Sequence, residues 1–132
     1  MAVNPYFQLK PGETRQMVKA VDTLHRPTEI IAVMPHMHML GKEMKMVAKL
    51  PDGTEESMVY INDWDFNWQE TYRYKKPRIY PQGTKIHLTA FYDNSEQNSR
   101  QASHPPKLVG WGEQTTDEMC IGFYQYTVPF KK

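Results

Sequence analysis

The sequence lacks most features that mark a disulfide-linked, membrane-spanning or nucleic-acid-binding protein. Its 132 residues include one cysteine, Cys120, so no internal disulfide can form. The longest apolar runs, such as IIAVM at 30–34, fall far below the roughly 18 residues that a membrane-spanning helix needs. Sixteen basic residues stand against fifteen acidic ones, with no run of like charge that would form a basic patch. Because these features are absent, we expect a globular domain.

The first residues also lack the pattern of a secretory signal peptide. MAVNPYF has no basic segment followed by an apolar one. We therefore expect either a cytosolic protein or the mature or excised part of an exported one, and the single cysteine does not decide between them. A length of 132 residues fits one domain, 1–132, whose core needs no disulfide.

The sequence also lacks apolar residues at helical spacing, and this absence determines the expected fold class. No long stretch carries apolar residues at helical spacing, and ten prolines are scattered through the chain. Short runs alternate apolar and polar residues instead, and Asp52-Gly53 between two of them is a strong hairpin signal. We predict an all-β domain, an antiparallel β-sandwich or jelly roll of about eight or nine strands. The main predicted strands are 16–21, 29–39, 45–50, 56–61, 71–80, 85–92 and 118–128, with 93–107 as a long polar surface loop.

The most distinctive segment is MPHMHMLGKEMKM, residues 34–46, in which two histidines are separated by one residue. On a strand, residues i and i+2 project from the same face about 6.5 to 7 Å apart, so His36 and His38 would converge on one metal ion while Met37 points away. A third ligand must come from a distant part of the sequence, and a thioether there would favour Cu(I). The alternative is that both histidines are solvent-facing positions on an edge strand. The residues alone leave the third ligand open among His25, His87, His104 and the methionines.

Four ordered motifs point to one protein family. MPHMHMLGKEM, DFNWQETY, FYDNS and WGEQTTDEMCIGF resemble, in this order and spacing, the C-terminal domain of the copper type II, ascorbate-dependent monooxygenases. That family includes the peptidylglycine α-hydroxylating and dopamine β-monooxygenases, and the variant here is most similar to its bacterial branch. The resemblance covers roughly residues 28–127.

This resemblance implies a metal centre and a reaction. Matched residue by residue, His36 and His38 are the imidazole ligands of one copper ion per chain, and Met119 in DEMC is its thioether ligand. Ascorbate and O2 are the implied co-substrates, and hydroxylation of a substrate C–H bond is the implied reaction. A periplasmic or secreted location is also implied. Further candidates near the copper are Gln69, Asn94, His87 and His104, of which His87 is expected mainly as an ordinary strand residue.

Differences from the family limit which of its properties we expect in this chain. The animal enzymes join the cysteine of the Glu-Met-Cys motif to a neighbouring strand, where this chain has Ala90, so we expect Cys120 to be a free, buried thiol. They also have a tyrosine four residues after the methionine, where this chain has Phe123. The family works with an N-terminal domain whose copper is held by three histidines, and no such cluster is visible here. We therefore expect one half of an enzyme, incomplete without a second copper domain, or a stand-alone relative.

Two other functions are compatible with the sequence. One is a copper-binding or copper-transfer module that hydroxylates nothing itself. The other is a carbohydrate- or peptide-binding sandwich without a metal, in which Trp64, Trp68 and Trp111 form a stacking platform, although burial or loop anchoring explains these rings more simply. No nucleic-acid partner and no membrane span are expected, and a small molecule or a peptide remains open as the substrate. The methionines expected to fill the core are Met34, Met37, Met39, Met44, Met46 and Met58.

Overall fold

The structure is a computed structural model that describes residues 1–128, and its regular elements are all strands. In the described residues these are β1 (Ala2–Val3), β2 (Gln8–Leu9), β3 (Gln16–Thr23), β4 (Thr28–His36), β5 (Gly41–Lys49), β6 (Glu55–Ile61), β7 (Tyr72–Tyr80), β8 (Lys85–Tyr92), β9 (Val109–Gly110) and β10 (Ile121–Thr127). The predicted all-β class is confirmed. The count exceeds the predicted eight or nine because β1, β2 and β9 are two-residue strands that the sequence pattern did not indicate. In residues 1–128, no helix could cross a membrane.

Two antiparallel sheets form the sandwich. The first sheet has the order β1-β10-β4-β7, the second has the order β3-β8-β5-β6, and β2 pairs with β9 alone. Gly122 of β10 shows how closely the sheets approach, because a Cβ added there would lie 2.9 Å from Met46 Cε and 3.3 Å from Leu88 Cδ1 of the second sheet. The inner faces of the two sheets therefore enclose the core, as the sandwich prediction requires.

Methionine fills much of this core. Four of the six methionines expected to pack there are buried, and these are Met37, Met44, Met46 and Met58. Met34 and Met39 are only half-buried, and neither belongs to the core cluster. The expected packing role is thus confirmed for four of them, and the other two lie on surfaces near His36 and His38.

The predicted hairpin at Asp52-Gly53 is confirmed. It joins β5 to β6, whose register runs from Met44 opposite Ile61 to Lys49 opposite Glu55. Gly53 has a φ of 89°, which glycine adopts without strain, and Asp52 Oδ1 accepts a hydrogen bond from the Thr54 N–H at 2.9 Å. The local turn chemistry therefore fixes this part of the second sheet.

Two predicted strands are too long at the ends that border the histidines. β4 ends at His36 rather than at 39, and β10 begins at Ile121 rather than at 118. The N–H groups of His38 and Leu40 donate to the side-chain carboxylate of Glu118 instead of to a neighbouring strand. The segments 37–40 and 117–120 are therefore held together by a side chain and not by ladder hydrogen bonds.

The loop predicted at 93–107 carries no strand, but it is not simply a surface loop. Asn94, Ser95, Asn98 and Gln101 are buried. The Asn94 side-chain amide donates to the carbonyl oxygen of Leu9 at 3.0 Å and to that of Lys107 at 2.8 Å. The segment is a loop as predicted, but part of it lies inside the fold, where the Asn94 amide satisfies backbone acceptors.

Cys120 should react slowly with thiol reagents while the protein is folded. It is a free, fully buried cysteine, and burial raises the pKa of its thiol to about 12, so little reactive thiolate exists near neutral pH. We expect labelling by a thiol-reactive chromophore to be about a hundredfold slower in buffer than in concentrated urea. Fast labelling of the folded protein would contradict the burial.

Candidate metal centre

His36 and His38, the two predicted imidazole ligands, lie side by side at one end of the first sheet. His36 is the last residue of β4 and pairs with Ile121 of β10. His38 lies two residues beyond the strand, so the expectation that both residues share one strand was wrong. The rings are nevertheless adjacent, with centroids 5.1 Å apart and planes at 80°. The bend after His36 thus brings the two imidazoles together.

A buried carboxylate fixes this bend. Glu118 is fully buried, and its two oxygens accept hydrogen bonds from the His38 N–H at 2.7 Å and from the Leu40 N–H at 2.6 Å. Burial raises the pKa of Glu118 to about 7, against the lowering effect of these backbone donors. The indole N–H of Trp64 also donates to the His38 carbonyl oxygen at 3.0 Å. The N–H and the carbonyl oxygen of His38 are therefore both held by side chains from elsewhere in the chain.

The tautomer of His38 follows from its hydrogen bond. Its Nδ1 lies 3.0 Å from the carbonyl oxygen of Asp117. A carbonyl oxygen can only accept, so Nδ1 must carry the proton. The lone pair of the neutral ring is then on Nε2, which leaves that atom able to bind a metal.

The tautomer of His36 follows in the same way. Its Nδ1 lies 2.6 Å from Gln69 Oε1, while the amide nitrogen of Gln69 donates to the carbonyl oxygen of Phe66 at 3.0 Å. Turning the Gln69 amide over would place its oxygen against the Phe66 oxygen, so only the present orientation satisfies both contacts. The Gln69 oxygen therefore accepts from His36 Nδ1–H, and His36 also keeps its lone pair on Nε2.

The charge state of His36 favours metal binding. Its pKa is lowered from the ordinary value, chiefly because burial disfavours the imidazolium form; the bond to Gln69 raises the pKa and the neighbouring His38 lowers it. A neutral imidazole is the form that binds a metal ion. His36 is thus held with the correct tautomer and charge before any metal arrives.

Met119 lies on the segment that runs beside the two histidines. The residues on either side of it make the contacts, since Glu118 accepts from His38 and Ile121 pairs with His36. The Met119 carbonyl oxygen accepts a hydrogen bond from the hydroxyl of Tyr92, and its side chain is half-buried. The fold therefore brings the 117–121 segment against the two histidines although 80 residues separate His38 from Glu118.

The other predicted site residues are dispersed, apart from Gln69. Asn94 holds the 93–107 loop, as described above, and has no contact with the imidazoles. His87 lies on the outer face of the second sheet, since its neighbours on β8 point into the core. His104 Nδ1 contacts Glu96 Oε1 at 2.7 Å, and His25 is exposed. Among residues 1–128, only Gln69 of the candidates beyond His36, His38 and Met119 contacts a ligand candidate.

Several residues that shape the site were not predicted. Glu118 and Trp64 hold the His38 backbone, and the ring of Phe66 packs edge-on against the His38 ring with centroids 5.7 Å apart. Glu118 lies within the DEMC motif, but nothing in the sequence marks it as buried. The predicted burial of tryptophan is confirmed for Trp64, whereas Trp68 is 71% exposed.

The donor atoms available here suit copper. In residues 1–128, no three His, Cys, Asp or Glu side chains are grouped so that they could hold a metal ion. What the fold does bring together is two imidazoles and a segment that carries a thioether. Imidazole and thioether are ligands that copper accepts in both oxidation states, with sulfur favouring Cu(I). The molecule is thus a β-sandwich whose candidate metal centre is the pair of adjacent histidines, His36 and His38.

Comparison with known families agrees with this class. The family described as copper type II ascorbate-dependent monooxygenase, C-terminal domain, matches residues 10–131, and the chain belongs to this family. The match extends further than the 28–127 that the four motifs indicated. No curated protein matches the chain. Membership in this family implies dependence on copper and ascorbate. Because the family is a C-terminal domain, it also implies a companion N-terminal domain.

Replacing Glu118 with alanine should destabilise the metal-free protein. The N–H groups of His38 and Leu40 would lose their acceptor inside the fold, at a cost of about 2–5 kcal/mol for two unpaired donors. Urea denaturation would measure this loss. Glu113→Ala, in the same loop but exposed, is the control and should change the free energy of unfolding by less than about 0.5 kcal/mol. Equal stability of Glu118→Ala and the wild type would show that the carboxylate does not hold the two segments.

Proposed function

We propose that the domain binds one copper ion through His36 Nε2, His38 Nε2 and the Met119 sulfur, and serves as the oxygen-activating half of a bacterial monooxygenase that hydroxylates C–H bonds. The observation that carries this proposal is the pair of Nδ1 hydrogen bonds, to Gln69 and to the Asp117 carbonyl oxygen. In the neutral form of each ring these bonds leave Nε2 with the lone pair, and the two rings are adjacent. Histidines that bind a metal ion almost always donate the other ring N–H to an acceptor in this way.

The surroundings of the two rings fit this role. Phe66 packs edge-on against His38, and the ring of Phe123 lies 6.5 Å from that of His36. These aromatic rings limit how the imidazoles can turn and exclude water from their sides. The polar groups on Nδ1 then set the direction in which each Nε2 faces. Little reorganisation is needed to bind copper, and this favours tight binding.

The reaction needs copper, O2 and a reductant. Bound copper supplies the change of oxidation state that couples ascorbate to O2. One oxygen atom enters the substrate C–H bond and the other leaves as water, while ascorbate supplies two electrons and two protons and becomes dehydroascorbate. His36 and His38 hold their protons on Nδ1 throughout, which keeps both rings neutral donors.

A companion domain fits the electron count of this reaction. One copper ion per chain transfers one electron, and the reaction requires two. The family is defined as a C-terminal domain, so we propose that an N-terminal copper domain in the longer chain or in a partner supplies the second electron. We also propose a periplasmic or secreted location, which suits a copper enzyme that uses ascorbate.

Copper titration tests the ligand pair. The wild type should bind one Cu(I) per chain, and His36→Ala and His38→Ala should each weaken binding at least about a hundredfold because two of three ligands do not complete the site. His104→Ala removes an exposed histidine whose ring contacts Glu96, and it should leave the affinity unchanged. Tight binding of Cu(I) by the double variant His36→Ala/His38→Ala would contradict the assignment of these two histidines as copper ligands.

Replacing Met119 with isoleucine tests the third ligand. The substitution keeps apolar bulk and removes sulfur, so Cu(II) should still bind to the imidazoles while Cu(I) binds about tenfold or more weakly and the reduction potential falls. X-ray absorption of the Cu(I) form should lose its sulfur neighbour. Met39→Ile is the control, because Met39 is also half-buried and close in sequence to His38. An unchanged sulfur signal in Met119→Ile would mean that another methionine is the ligand.

Oxygen uptake then separates an oxygenase from a copper-transfer module. With a companion copper domain and ascorbate present, the wild type should consume O2 in proportion to substrate hydroxylated, and Met119→Ile should lose most of this activity. Copper binding without any ascorbate-dependent oxygen uptake under these conditions would favour the module that only holds or transfers copper.

A further inference from the structure

The outer face of the second sheet gathers basic side chains from three strands. In the pairing of β8 with its two neighbours, Lys19 of β3 and Lys45 of β5 stand on either side of Thr89. Lys85 of β8 stands opposite Lys49 of β5. The sequence did not indicate such a surface, because these lysines come from alternate positions of separate strands and form no run. The fold therefore assembles a basic face from residues that are far apart in the chain.

These lysines point away from the core. Alternate residues of a strand share a face, and Met46 and Ala48 of β5, which lie between Lys45 and Lys49, are fully buried. On β3, the two neighbours of Lys19 are Val18 and Ala20, and both belong to the core cluster. All four lysines are exposed. The basic face is thus open to other molecules.

The face carries an excess of positive charge. Arg15 adds to it, since its guanidinium lies 3.9 Å from the centre of the Phe91 ring on β8. At the outward positions of the four strands the carboxylates are Glu43 and Glu55, which pair with Arg15 at 2.9 Å and with Lys49 at 3.3 Å. Five cations thus stand against two carboxylates, whereas the whole chain has only one more basic than acidic residue. The positive charge of the protein is therefore concentrated on this face.

The basic side chains repel one another in the protein alone. Lys85 and Lys49 are directly opposite on neighbouring strands, a pairing that is destabilising for like charges. Burial lowers the pKa of His87 on the same face, and the charges of Lys49 and Lys85 lower it further, although Glu55 raises it. In the part of the chain that the structure describes, only Lys49 of the four lysines forms an ion pair. Anions supplied by another molecule would relieve this repulsion.

Exposed apolar side chains border the basic residues. On β3, Met17 and Val21 stand on either side of Lys19 and are 55% and 51% exposed. On β6, Tyr60 stands opposite Lys45 and is 58% exposed. These two strands are the edges of the second sheet. The face therefore combines a basic middle with apolar side chains at both edges.

We propose that this face binds the surface of an anionic lipid bilayer. The lysines contact the head-group phosphates and lay their aliphatic stems along the interface. Met17, Val21 and Tyr60 enter the interfacial layer, where the apolar ring and the hydroxyl of a tyrosine both find suitable surroundings. The inference does not depend on the proposed function, because it uses no residue of the candidate metal centre.

The arrangement favours a bilayer over other occupants. A second copy of the chain would place the same positive charges against one another. An acidic protein would pair with the lysines, whereas a bilayer also accounts for the exposed apolar side chains at both edges, since it presents anions above an apolar layer. The basic face lies on the opposite side of the sandwich from the first sheet, so His36 and His38 would stay uncovered.

Vesicle flotation tests this inference. The chain should bind vesicles of phosphatidylcholine with about 30% phosphatidylglycerol at least about tenfold more tightly than vesicles of phosphatidylcholine alone. Raising NaCl from about 50 to about 300 mM should weaken this binding at least about tenfold, because salt screens the lysines. Equal binding to both kinds of vesicle, or binding to neither, would overturn the proposal.

Two double variants test whether this face makes the contact. Lys19→Gln/Lys45→Gln should weaken binding to the anionic vesicles at least about tenfold, because each lysine near such a surface contributes about fivefold. Lys75→Gln/Lys76→Gln removes the same charge from exposed positions on β7 of the first sheet, and it should weaken binding less than about threefold. Equal losses in the two variants would overturn the assignment to the second sheet.

Met17→Ser/Tyr60→Ser distinguishes a bilayer from an acidic protein. Both side chains are more than half exposed, so the fold should not change. The variant removes apolar contacts and keeps every charge, so vesicle binding should fall about three- to tenfold. Unchanged vesicle binding would overturn the bilayer as the partner and leave the face as a docking surface for an acidic protein.

Discussion

The candidate site depends on the contact between one buried carboxylate and two backbone N–H groups. Glu118 binds the N–H groups of His38 and Leu40, so the chain after β4 bends instead of continuing as a strand. The same contact holds the 117–120 segment against the histidines. Without it, the N–H groups of His38 and Leu40 would lose their acceptor, and the 37–40 bend would lose its direct side-chain bonds to the 117–120 segment. A single side chain thus joins parts of the sequence that are far apart.

From this contact follows the state of each imidazole. With the segments joined, the Asp117 carbonyl oxygen reaches His38 Nδ1, and the loop after β6 supplies Gln69 to His36 Nδ1. Each hydrogen bond places the proton on the nitrogen that faces the protein and the lone pair on the nitrogen that faces outward.

The sequence predicted the fold class better than it predicted how the candidate site residues are arranged. Alternating runs and the Asp52-Gly53 turn are local signals, and they indicated the sandwich and its hairpin correctly. His36 and His38 were placed on one strand, which failed because a side chain far along the sequence competes for the His38 N–H. A local pattern cannot show that competition. Asn94 was a candidate residue near the copper, but its amide binds the backbone oxygens of Leu9 and Lys107 instead. These distant partners are also invisible to a local pattern.

The central claim is that the fold sets both imidazoles as Nε2 donors before copper binds. Nitrogen-15 NMR of the metal-free protein, labelled at histidine, reads the tautomer of each ring directly. The account predicts that the neutral form of each of these two rings carries its proton on Nδ1, and that one equivalent of Cu(I) shifts the Nε2 resonances of His36 and His38 while those of His87 and His104 stay in place. A neutral ring with its proton on Nε2 at either His36 or His38 would contradict it.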